Sequence, residues 1–165
     1  MRTRAQIGGH PIHPMLVNIP VAAFPVSLIF DVVYLLTDNP FWYAMAFWLM
    51  VVGIVGGLAA AIPGLIDYLT SVPREAIPTA RRHGLINAGI VTWFLINAIV
   101  RATGPMIGPR VGIAMLMSLV GIGALAYSGW LGGTLVYQYR VGVEEPEAKV
   151  APTVEQPEVT ERRVA

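Results

Sequence analysis

Three histidines, two aspartates and one arginine are the residues here whose types and spacing could do chemistry. Two of the histidines fall in Gly9-His10-Pro11-Ile12-His13-Pro14, at the mouth of the apolar run Met15 to Leu36. A residue before proline avoids the α region, so both are expected in extended or polyproline-like backbone. Polyproline II repeats every three residues, which would put His10 and His13 on one side. Two imidazoles so placed could bite a metal, or one could ligate while its neighbour hydrogen-bonds. The plainer alternative is that the prolines only set the angle at which the first helix enters. His83 lies about a turn into a later helix, with Asn87 at i+4 on its face. Imidazole is the usual axial ligand of b-type haem, and helical bundles hold cofactors between facing helices. His13 and His83 are therefore the natural ligand pair, with His10 as the substitute. Against it stands a basic collar facing anionic lipid, since Arg81 and Arg82 precede His83.

Asp67 follows Pro63-Gly64, where a kink is expected. It could orient an imidazole from the second layer of contacts, or pair with Arg81 or Arg82. A divalent metal on His10, His13 and Asp67 is a third arrangement, short of the usual ligand count. Asp31 sits inside the first apolar run, about five residues from its outer end. Intramembrane carboxylates usually face a partner or a wet cavity. Arg101 is its expected counter-ion, with Asn97 nearby. A proton or ion path is the sharper alternative, but no complete relay of ionisable groups is visible.

The elements that must position these groups are membrane spans. Of 165 residues 55% are hydrophobic and 13% charged, about half the charge of a soluble domain, and mean hydropathy is +0.63. The expected class is all-α, a polytopic four-transmembrane-helix bundle over residues 1–142, with a disordered Pro/Glu-rich tail over 143–165. Helices are expected at about 15–36, 41–69, 80–101 and 111–139, with Thr79 capping the third. The breakers between them are Thr37-Asp38-Asn39-Pro40, the Ser71 to Arg82 connection with Pro73 and Pro78, and Thr103 to Pro109. The first apolar run is too long and too proline-interrupted for a secretory signal core.

Up to Gly142 the chain carries eight arginines against four acids; beyond it, three basic residues stand against six acids. Arg2, Arg4, Arg74, Arg81, Arg82 and Arg140 share one side of a four-span arrangement, with only Arg101 and Arg110 opposite. Both termini are therefore expected in the cytoplasm, across a bacterial inner membrane. Absent cysteine excludes disulfides, thiolate-held iron–sulfur clusters and c-type haem. No phosphate-cradling loop, nucleophile elbow or HExxH is present, so no catalytic motif marks an enzyme. The basic residues make no nucleic-acid surface. The partners expected are the lipid bilayer and a redox or membrane-protein partner, with homo-oligomerisation open.

Small residues suggest helix contacts: Gly53, Gly57 and Ala61 on the second helix, and Gly121, Leu125, Gly129 and Gly133 on the fourth. A faint internal repeat pairs His13–Asn18 with His83–Asn87, and Gly56/Gly64 with Gly121/Gly129. Two similar hairpins related by an axis along the membrane normal would set His13 and His83 across the bundle at one depth.

The segments Gly9 to Val17, Pro63-Gly-Leu-Ile-Asp67, Gly129 to Tyr137 and Val141-Gly-Val resemble a bacterial integral-membrane family of unknown function with a GHPxHPxLV signature. The resemblance covers roughly Gly9 to Val143. It implies a four-span inner-membrane protein, and, because relatives are joined to cytochrome c or Rieske-type modules, electron transfer near quinone. This chain departs from the family pattern at Asn18, Asn87 and Tyr139, where relatives carry His, and at Thr134, where they carry Glu. Any ligand among those positions is lost here. The leading expectation is b-type haem on His13, His83 and His10 with Asp67 behind them. The alternative is a cofactor-free accessory or scaffold subunit.

Overall fold

The computed structural model describes residues 3–104 and 109–143; the expected disordered tail lies almost wholly outside the described residues. A two-residue hairpin opens the chain, β1 (Gln6–Ile7) pairing antiparallel with β2 (His10–Pro11). Its turn is Gly8-Gly9, both at positive φ, the backbone a tight hairpin reversal requires and only glycine adopts freely. Among the described residues five helices follow: α1 (Ile12–Leu16), α2 (Asn18–Thr37), α3 (Pro40–Thr70), α4 (Ile77–Ala102) and α5 (Pro109–Tyr137). A 3-10 turn, Arg74–Ala76, leads into α4.

Local chemistry explains the boundaries. His13 is not in polyproline backbone: it is helical, because Pro14 falls in the first turn of α1, where an N–H has no acceptor anyway. The expected His10–His13 side-by-side pair is thereby corrected. Pro20 cannot donate to the carbonyl one turn back, and the helix breaks at Val17 between α1 and α2. Asp38 turns left-handed after α2, and the Asn39 side chain caps α3 by accepting from the Phe41 N–H at 3.0 Å. The third span starts earlier than expected, at Ile77 with Ala76 as its cap, since Pro78 is tolerated in a first turn. The fourth ends at Tyr137 rather than Tyr139.

Among the described residues four helical segments, Ile12–Thr37, Pro40–Thr70, Arg74–Ala102 and Arg110–Tyr137, are long and apolar enough to cross a membrane. Their outward faces carry large apolar side chains such as Leu36, Leu58, Ile62, Leu65 and Leu116. Those faces suit hydrocarbon, so helix association must come from close packing instead of water exclusion. The core holds Phe24, Met50, Ile54, Ile90, Phe94 and Ala98. At its centre the Phe24 and Phe94 rings stack with centroids 3.8 Å apart and planes 3° apart.

Glycines let that stack form. A Cβ on Gly53 would stand 2.5 Å from Phe24, and one on Gly121 would stand 2.7 Å from Phe94. Gly57 meets Val91, whereas Gly129 has nothing within 4 Å, so the expected small-residue stripe of the fourth helix is only partly a packing seam. The internal repeat is present in a different register. Gly53 answers to Gly121 and Gly64 to Gly132, in place of Gly56/Gly64 with Gly121/Gly129.

Candidate paired-imidazole site

His13 and His83 approach each other across the bundle, their ring centroids 6.3 Å apart and their planes at 88°. α1 carries the first and α4 the second. Each ring is held through Nδ1 by a backbone carbonyl on the second helix of its own half. His13 Nδ1 donates to the Ala60 carbonyl of α3 at 2.8 Å; His83 Nδ1 donates to the Ser128 carbonyl of α5 at 3.0 Å. A carbonyl can only accept, so the proton sits on Nδ1 and the lone pair on Nε2 in both rings. Glycine makes room beside each imidazole: a Cβ on Gly64 would lie 2.7 Å from His13, and one on Gly132 would lie 3.2 Å from His83.

The two halves differ in polarity. Around His83, the Asn87 amide nitrogen faces three acceptors: Ser128 Oγ at 2.7 Å, the His83 carbonyl at 2.9 Å and His83 Nε2 at 3.2 Å. Ser128 Oγ also lies 3.1 Å from His83 Nδ1. The sequence signal for Ser128 is slight: Ser118 and Ser128 are the two serines of α5.

Two other expected members lie elsewhere. His10 is exposed in the hairpin, its Nδ1 3.0 Å from the Gly8 carbonyl. Asp67 does not support an imidazole or pair with Arg81 or Arg82. It accepts the Ala5 N–H at 3.1 Å and so pins the N-terminal hairpin to the end of α3, helped by Ser71 Oγ accepting from the Arg4 N–H. Among the described residues no three His, Asp or Glu side chains gather as metal ligands, which corrects the His10–His13–Asp67 arrangement. Asn18 likewise turns away, to the Met15 carbonyl.

At the far end of the bundle Arg101 and Asp31 form a bidentate ion pair, at 2.6 and 2.7 Å, with both side chains at most 1% exposed. Asn97 Oδ1 accepts from Arg101 Nε at 3.1 Å, and Ser118 Oγ receives bonds from both Asn97 and Arg101. The guanidinium also lies 5.3 Å from the centre of the Tyr43 ring. Each of the three guanidinium nitrogens of Arg101 thus has an acceptor, as a buried guanidinium requires.

No curated protein and no solved structure matches the chain. A family model described as "Predicted membrane protein (DUF2231)" matches residues 9–145, from the glycine before His10 to just past the last described residue. Four apolar spans, a polar lining and this match along most of the chain agree, and the protein belongs to the DUF2231 family of membrane proteins.

Proposed function

We propose that the protein is a multi-pass protein of the bacterial cytoplasmic membrane that binds a b-type haem between His13 and His83 and passes electrons to a membrane redox partner. The observation that carries this reading is the opposed imidazole pair, each ring oriented by a carbonyl with Nε2 left as acceptor. His13 from α1 and His83 from α4, 6.3 Å apart with Nδ1 of each taken by a carbonyl, would be the two residues that hold the group. Two imidazoles would suffice to hold a haem, whereas a tetrahedral metal needs four ligands, and among the described residues no such set gathers.

Bound there, haem would supply one-electron chemistry. The chain's own part is positioning. The Ala60 and Ser128 carbonyls hold the tautomer and raise the basicity of each imidazole. Asn87 now touches His83 Nε2 and, were that nitrogen to ligate, would keep Ser128 Oγ and the His83 carbonyl as acceptors. Phe24 and Phe94 close the bundle interior below.

The test is a dithionite-reduced minus air-oxidised spectrum of protein purified after haem-supplemented expression. A sharp reduced α-band is expected, lost in His13→Ala and in His83→Ala and retained in His10→Ala. A flat wild-type spectrum would remove the haem reading and leave the cofactor-free accessory subunit.

The orientation has its own check. Arg2, Arg4, Arg74, Arg81, Arg82 and Arg140, on the termini's side of a four-span arrangement, favour both termini in the cytoplasm. Reporter fusions at Asn39 and at Ala165 should report outside and inside respectively; the reverse pattern overturns the orientation.

A further inference from the structure

The two helical hairpins of the bundle, the first α1 to α3 and the second α4 with α5, meet in layers built from equivalent positions. Asp31 and Arg101 are 70 residues apart, and the same interval separates His13 from His83 and Phe24 from Phe94. The supporting helix repeats too, at an interval two residues shorter: the Ala60 and Ser128 carbonyls hold the two imidazoles, and Gly53 and Gly121 lie under the two phenylalanines. Packing of the first half therefore fits a second first half almost as well as it fits the second. A copy of this chain offering its own first hairpin would set His13 on His13 and Phe24 on Phe24 without a clash of type.

One layer forbids it. Two first hairpins would bury Asp31 against Asp31, and two second hairpins would bury Arg101 against Arg101. The second would leave two guanidiniums charged in a water-free interior with no counter-ion, and the first would force buried carboxyls to take up protons, where the observed pair is satisfied from both sides. We propose that the Asp31–Arg101 pair is the recognition element that matches the first hairpin to the second and excludes the same hairpin of another copy. It does so by making the wrong pairing costly, which is how closely similar interfaces are told apart.

The chain has no cysteine, so one introduced thiol reports the wrong pairing cleanly. Ser27 is fully buried on the face of α2 that carries Phe24 and Asp31, and Ser27→Cys would face its own copy in a first-to-first pairing. Full-length Ser27→Cys in membranes, treated with a mild oxidant, should give little disulfide-linked dimer. Adding Asp31→Leu with Arg101→Leu removes the discrimination and should raise the linked dimer roughly tenfold. Exchanging the charges, Asp31→Arg with Arg101→Asp, should return it to the low level. Equal dimer in all three backgrounds overturns the proposal. So does a double-leucine variant that fails to fold while the charge exchange folds, because the pair would then serve stability alone.

Discussion

Arg101→Leu is expected to lower the unfolding free energy of the bundle by about 3–5 kcal/mol, the cost of leaving a buried charge without its partner. Asp31 is 1% exposed, receives two guanidinium bonds at 2.6 and 2.7 Å, and loses both in this variant. Asn97 and Ser118 lose an Arg101 donor at the same time. The pair itself is a different matter. Its mutual attraction is set against two desolvation costs, so replacing both residues by leucine is expected to restore most of the lost stability. Reversible unfolding in bilayers of the two single variants and the double variant measures this. Additive losses in the double variant would show that the residues contribute independently, against the geometry.

The second large effect is expected from the smallest change. Gly53→Ala puts a methyl group 2.5 Å from Phe24 Cε1 and 2.7 Å from Cδ1, and that ring cannot retreat because Phe94 stacks on it at 3.8 Å. Overpacking of this kind costs about 1–3 kcal/mol. Gly121→Ala should behave alike, its Cβ meeting Phe94 at 2.7 Å. Gly123→Ala and Gly129→Ala meet nothing within 4 Å, and alanine should stabilise those helix positions by up to about 1 kcal/mol. Thermal unfolding of the four variants, side by side, is the measurement. Similar shifts at Gly53 and Gly129 would contradict close packing as the force between these helices.

Much of the architecture was legible because it depends on local composition. Long apolar runs have one stable answer in hydrocarbon, the helix, and Pro40, Pro109 and the Asp38-Asn39 turn mark where it must stop. Two misplaced helix starts came from proline. Pro14 and Pro78 read as breakers, yet each lies in a first helical turn where its missing N–H costs nothing. Asp67 was legible as a carboxylate near the His13 end, but its partner, the Ala5 amide, is backbone and carries no sequence signal.

By itself the sequence determined the four spans, their turns and the presence of an intramembrane acid and base in need of each other. Hydropathy and breaker residues act within one segment and need no knowledge of the others. Tertiary structure alone decided which faces meet: that His13 looks at His83 while His10 does not, that Ala60 and Ser128 lend the carbonyls, and that the repeat runs in the register of Gly53 with Gly121. Those contacts depend on how each helix is rotated about its axis. In lipid that rotation is set by glycine-sized clearances and a few buried hydrogen bonds, summed over all four helices at once.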